Sequence, residues 1–350
     1  MGVVLRRKRS LLKFPNQDHT NKTYRMKSVT RRSTITLLST LVVTAFVLPI
    51  QAAPKKYPYS ITTTVGMVND IVQNVAGEKA KATAVMGAGV DPHLYKPTRD
   101  DVAAMIRADA VFYSGLMLEG KMADTLIKVG RSKPVFAVTE LIDEKFLLEP
   151  DDMEGHADPH VWMDPSAWAK ATQLVAQSLS KFDPGNAALY QRNSSDYAAK
   201  CLELHSYGKK VLATVPEESR VLISSHDAFN YFGRAFGLKV MGVQGLSTES
   251  EAGLKQINFL VDFIVENNVK AVFVESSVSS KNVKALIGGV KARGKDLKIG
   301  GELFSDAMGA AGTYEGTYLG MLDHNITLVA RALGGEAPAK GHGGKLSHVK

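Results

Sequence analysis

Cysteine is nearly absent: the only one in 350 residues is Cys201, deep in the chain. A lone thiol excludes a disulfide framework and a thiolate metal cluster, and its position excludes a lipid-modified cysteine at an export cleavage site. Cys201 reads as a small buried hydrophobe. Also missing are a His-Glu-x-x-His pair, an internal repeat and a nucleotide-phosphate loop. The Gly341 to Leu346 stretch fails as a P-loop because Leu346, not Ser or Thr, follows Lys345, and Gly87-Ala88-Gly89 is too little for a dinucleotide site.

The positive charge is localised. Residues 1–53 carry ten Lys or Arg and one acid, so the formal charge of +8 falls to −1 without them. Nothing then argues for a nucleic-acid or anionic-membrane partner. Within that segment Lys27, Arg31 and Arg32 precede an uncharged run from Ser33 to Ile50, and Ala52 and Ala53 follow. The run is short for a membrane span and ends at Pro49 and Gln51, so residues 1–53 read as a signal peptide. A start at Met26 gives it a more ordinary length. The expected destination is a periplasm, reached as a soluble protein.

About 297 residues remain, enough for two lobes. Short apolar runs (Tyr59–Val65, Ala110–Tyr113, Val135–Ala137, Arg220–Ser224, Lys239–Val243, Ala271–Val274) alternate with amphipathic stretches (Met67–Val75, Arg99–Ile106, Pro165–Lys181, Gly253–Asn267, Ser280–Val290). That alternation predicts an α/β fold with parallel sheets flanked by helices. Asp183-Pro184-Gly185 opens a helix that runs without further proline to Val215, long enough to join one lobe to the other. The expected division is an N-terminal lobe at 54–182, a linking helix at 183–216, a C-terminal lobe at 217–336 and a mobile Gly/His/Lys-rich tail at 337–350.

Chemistry gathers where strands end, which is where open α/β sheets bind ligands. Asp91-Pro92-His93 fixes an imidazole in a stiff turn before a helix capped near Thr98, with Asp100 and Asp101 in its first turn. Asp158-Pro159-His160 repeats the device before Pro165. His226 follows a strand in Ser224-Ser225-His226-Asp227, and Asp306 follows the Gly300–Phe304 run. Each has a plainer reading: a histidine in such a turn is commonly a local hydrogen-bonding group, Asp306 serves equally as a helix cap, and Asp227 suits a cap or a support for His226. Together, three imidazoles and a carboxylate are a candidate metal set. The other histidines, at 156, 205, 324, 342 and 348, read as packing or solvent-facing, with His156 nearest the cleft.

These segments resemble the metal-binding branch of the solute-binding proteins of ABC importers, cluster A-I, and within it the TroA-like proteins. The likeness runs from about Tyr57 to Leu333. It includes Asp91-Pro92-His93-Leu94-Tyr95, Phe112-Tyr113-Ser114-Gly115-Leu116 with Leu118-Glu119-Gly120, Asp158-Pro159-His160-Val161-Trp162-Met163-Asp164-Pro165, His226-Asp227-Ala228-Phe229, and Ser305-Asp306-Ala307-Met308-Gly309. The resemblance implies two α/β lobes joined by one long helix, with one divalent ion between them held by His93 and His160 from the first lobe and His226 and Asp306 from the second. It also implies a membrane permease and its cytoplasmic ATPase as partners. Manganese- and iron-binding relatives often carry Glu where His226 stands, whereas zinc-binding ones often carry a long His-rich loop that is only Met153-Glu154-Gly155-His156-Ala157 here.

Three imidazoles and one carboxylate favour Zn²⁺, then Mn²⁺, with Fe²⁺ third. Because imidazoles bind when neutral, affinity is expected to fall below about pH 6. The rival from another class is a zinc hydrolase, for which Glu275 is the available base, although a carboxylate there serves equally to hydrogen-bond a ligand histidine; a catalytic zinc, however, keeps a position open for water, and a fourth protein ligand closes it. A periplasmic metal buffer or adhesin without a transporter is the third reading. The chain is expected to be monomeric and not an enzyme, and replacing Glu119 is expected to leave metal binding intact.

Overall fold

Strands rich in Val, Ile and Phe with no polar alternation need cover on both faces, and helices supply it. The computed structural model describes residues 56–150 and 155–347. The signal-peptide reading and the Met26 start therefore lie outside the described residues, as do Met153, Glu154 and His348. In the first half, β1 (Tyr59–Thr63), β2 (Ala80–Ala84), β3 (Ala110–Tyr113) and β4 (Val135–Ala137) form a parallel sheet in the order β2-β1-β3-β4. Helices α1 (Gly66–Ala76), α2 (Arg99–Arg107) and α3 (Ala123–Gly130) pack against it. Helix α4 (Pro165–Phe182) closes this half.

Helix α5 (Ala187–Leu212) is the expected long connection, 26 residues or roughly 39 Å at 1.5 Å per residue. Beyond it, β5 (Val221–His226) pairs with β6 (Lys239–Gln244), and β7 (Ala271–Glu275) pairs with β8 (Lys298–Leu303), all parallel. The inner strands β5 and β7 lie side by side. Helices α6 (Asn230–Phe236), α7 (Leu254–Glu266), α8 (Lys281–Ala292) and α9 (Tyr318–Ala332) complete this half. The fold is thus α/β with parallel sheets flanked by helices. Among the described residues no helix is long and apolar enough to cross a membrane.

The two halves share a core. One buried cluster runs from Tyr59 and Val68 through Trp168, Cys201 and Leu204 into Tyr318 and Met321, while a smaller one (Ile223, Val243, Leu260, Val272, Leu286) lies in the second half alone. Gly208 of α5 marks a close approach: a Cβ there would fall 2.5 Å from the Phe236 ring. Exposing this shared core to water would cost about 25 cal/mol per Å² of apolar surface.

The tail departs from expectation. Up to residue 347 it packs on the body, with Leu346 buried in the main core.

Candidate metal centre

Each candidate ligand is held by a local device readable in its own segment. The Asp91 carboxylate accepts a hydrogen bond from the His93 backbone N–H at 2.9 Å, tightening the Asp-Pro-His turn. Thr98 caps α2 as expected, and Asp101 completes a capping box with it. In the second turn Asp158 does more: Oδ1 accepts from both the backbone N–H of His160 (2.9 Å) and its ring Nδ1 (2.8 Å). Asp164 then caps α4 through the Ser166 and Ala167 N–H groups, with Pro165 in the first turn.

His226 ends β5 and Glu275 ends the neighbouring β7. The Glu275 carboxylate accepts from the His226 backbone N–H at 2.9 Å and from its Nδ1 at 2.5 Å. The available base of the hydrolase reading is therefore engaged in orienting His226. Asp306 follows β8, and its neighbour Ser305 accepts a hydrogen bond from the Trp162 indole across the cleft at 2.9 Å.

These four side chains converge. One donor atom from each of His93, His160, His226 and Asp306 lies within 4.8 Å of every other, and all four residues are at most 4 % exposed. The Asp306 oxygens stand 3.4 Å from His160 Nε2, 3.2 Å from His226 Nε2 and 3.8 Å from His93 Nε2, and the His93 and His160 Nε2 atoms are 3.4 Å apart. Four ligands on a tetrahedron with bonds of about 2.1 Å sit about 3.4 Å apart, so the spacing matches a small divalent cation at the centre. Both Asp306 oxygens and His226 Nε2 are buried without a well-formed hydrogen bond. Leaving such groups unsatisfied costs about 1–3 kcal/mol each, an expense that a bound cation offsets.

The electrostatics agree. Burial pushes His93 down to about 4, so it is neutral at pH 7. Burial also opposes the charged form of His160, but the carboxylates of Asp158 and Asp306 overcome it and raise the imidazole to about 9. The same contest between burial and the carboxylates of Glu275 and Asp306 lifts His226 well above its ordinary value. Asp306, despite burial, is held well below the usual carboxylate range by His226 and His160. The neighbouring carboxylates thus favour the protonated forms of His160 and His226, and a divalent cation takes the place of those protons.

A cavity of about 240 Å³ beside His93, lined also by Met117, His156, Leu246 and Glu249, leads towards the cluster. At its rim Thr248, between the lining residues Ser247 and Glu249, donates its hydroxyl to Asp91 at 2.6 Å, and Glu249 pairs with Lys121 at 3.0 Å. His156 is thus near the site without joining it. The other described histidines stand apart: His205 lies 3.4 Å from Asp164, His324 bonds to the Glu302 carbonyl, and His342 meets Glu203. Asp227 bonds to Asn230 at the start of α6 and meets His160 and His226 through charge, without being one of the four converging residues. Sequence reasoning had not assigned Asp158 a role, although its place two residues before His160 is the signal. Glu119, whose replacement is expected to leave metal binding intact, is not one of the four converging residues but has a structural part of its own: buried at 3 % exposure, it accepts from the Ser114 and Gly115 N–H groups and the Thr64 hydroxyl, locking the loop after β3.

The model of the family described as "Zinc-uptake complex component A periplasmic" (ZnuA) matches residues 61–332. The chain belongs to the ZnuA family. Among related proteins, the "Manganese-binding lipoprotein MntA" of Bacillus subtilis is 45% identical over 273 residues, spanning 78% of this chain and 89% of that protein. The "Zinc-binding protein TroA" of Treponema pallidum is 44% identical over 273 residues, 78% of this chain and 88% of that protein. The solved structure of that periplasmic TroA superposes with a TM-score of 0.76 at 43% identity, covering 79% of this chain and 99% of the other. The ZnuA-family match spans all four converging side chains, from His93 to Asp306.

Proposed function

We propose that this chain is the exported, soluble binding component of an ABC-type importer for a divalent transition metal, and that His93, His160, His226 and Asp306 are the ligands of its single ion. The observation that carries the reading is the buried set of three imidazole nitrogens and one carboxylate, spaced for a cation, in which both Asp306 oxygens and His226 Nε2 have no hydrogen-bond partner. The names of the two relatives divide between manganese for MntA and zinc for TroA at almost equal identity. The N₃O donor set favours Zn²⁺, with Mn²⁺ next and Fe²⁺ third.

The ligands come from both halves, so the ion draws together the lobe at 54–182 and the lobe at 217–336, while the helix at 183–216 and the shared core limit their separation. Release then falls to a membrane permease, powered by a cytoplasmic ATPase, that pulls the lobes apart. A hydrolase reading is disfavoured by four protein donors on the ion and by the engagement of Glu275 with His226. MntA is named a lipoprotein. In this sequence the one cysteine is Cys201, buried in α5, and we infer a protein released to the periplasm as a monomer. Radioactive Zn²⁺ and Mn²⁺ uptake, measured in cells lacking the gene and complemented with the parent or with Asp306→Ala, tests this. Restored uptake with the parent alone supports the importer; binding in vitro without any uptake defect in the deleted cells points to a metal buffer instead.

A further inference from the structure

Asp306 lies in the irregular segment 304–317 between β8 and α9, so its placement depends on what fastens that segment. On one side the buried Asn325 side chain accepts from the Phe304 N–H at 3.0 Å and donates to the Phe304 carbonyl at 2.7 Å. Three residues past Asp306, the Gly309 N–H donates to the Glu315 carbonyl at 2.8 Å, folding the segment back on itself. The outer side is fastened by the C-terminal residues of the chain. Ser347 donates to Glu315 Oε1 through both its backbone N–H (2.8 Å) and its hydroxyl (2.6 Å). The His342 N–H donates to the buried Asp323 carboxylate at 2.8 and 3.0 Å, and the Tyr314 hydroxyl donates to the same carboxylate at 3.1 Å.

Two features mark this contact as fitted. Leu346, between the anchors, is 3 % exposed within the main core. Gly341 has a φ of +70°, and a Cβ there would lie 2.4 Å from Asp323 Oδ1, so only glycine allows the approach. The strap also reaches the linking helix: the His342 ring packs 4.8 Å from Tyr207, and its Nε2 is 3.0 Å from Glu203, both on α5. These residues lie beyond the span 61–332 that the ZnuA-family model matches.

We propose that residues 340–347 form a strap that positions Asp306 by anchoring Glu315 and Tyr314, so that retention of the ion depends on the C-terminal tail. Ser347 and His342 are positioning residues; neither touches the ion. The physical basis is that a ligand holds its metal only as firmly as the groups that fix the ligand's own orientation. The inference rests on the metal site proposed above.

The test compares the secreted parent with a chain ending at Ala339 and with Ser347→Ala, Ser347→Thr and Glu315→Gln. Zn²⁺ alone is the probe, and three quantities are read: stoichiometry, the rate of Zn²⁺ loss into excess chelator, and the melting temperature of the metal-free form. The truncated chain is expected to bind one ion and lose it at least about tenfold faster. Ser347→Ala and Glu315→Gln should show smaller increases, with Ser347→Thr near the parent. A truncated chain that melts lower when metal-free but releases Zn²⁺ at the parental rate makes the tail merely structural and overturns the proposal. If truncation prevents folding, parental release rates in both Ser347→Ala and Glu315→Gln overturn it equally. A parent that binds no Zn²⁺ defeats the site itself, and the strap with it; a parent that binds while the variants behave identically defeats the strap alone.

Discussion

Metal binding should be strongly proton-linked, and the structure sets the slope. His160 is raised to about 9 by Asp158 and Asp306 against the effect of burial, and His226 is raised well above its ordinary value by Glu275 and Asp306. Both imidazoles therefore hold a proton in the metal-free protein around neutrality and must release it to bind. His93, pushed down to about 4 by burial, contributes nothing above that pH. A group protonated in the free form and deprotonated in the bound form makes affinity fall as pH falls, by one order of magnitude per unit over the range in which the free form holds the proton. His160 alone should lower the affinity for Zn²⁺ by about two orders of magnitude between pH 8 and pH 6, equivalent to about 3 kcal/mol at 1.36 kcal/mol per unit, and His226 steepens the fall. Because the carboxylates raise both imidazoles, the fall begins above the pH 6 expected of an unperturbed imidazole. Titration calorimetry at pH 7.5 in buffers of different ionisation enthalpy should count about two protons released per ion. Release near zero, or equal affinity at pH 6 and pH 8, refutes the reasoning.

Glu275→Gln keeps the shape at His226 but removes the carboxylate that holds its proton; affinity should fall about 10–100-fold and proton release by about one, read by the same calorimetry. Glu119→Ala leaves three buried donors unpaired and should destabilise the fold by roughly 2–4 kcal/mol in denaturant unfolding while the stoichiometry of metal binding stays at one. Thr248→Val breaks the bond to Asp91 at the rim and should speed both uptake and loss of metal in stopped-flow measurements, moving the affinity less than either rate.

The sequence carried the ligand turns because an Asp-Pro-His motif fixes its own geometry within three residues. It carried the strands rich in Val, Ile and Phe for a similar reason. β2 was passed over because Ala-Lys-Ala-Thr-Ala has small side chains and little β-branching; its place comes from pairing with β1. α9 was passed over because it is buried on nearly every side, so its apolar residues show no single stripe. The contact from Glu275 to His226 joins residues 49 apart and was one of two readings for that carboxylate. The docked tail was hidden for a stronger version of the same reason. Gly, His and Lys look solvent-seeking until Asp323 and Glu315, distant in the chain, supply their partners.

Elemental analysis of the mature protein from its native periplasm, with competitive Zn²⁺ and Mn²⁺ titrations of the metal-free parent, His226→Ala and Asp306→Ala, decides whether these side chains hold the ion. One tightly held ion per chain is expected, Zn²⁺ preferred, with binding weakened at least about 100-fold in each variant, since each loses a direct ligand. No stoichiometric metal, or binding indifferent to both substitutions, would contradict the assignment of this site.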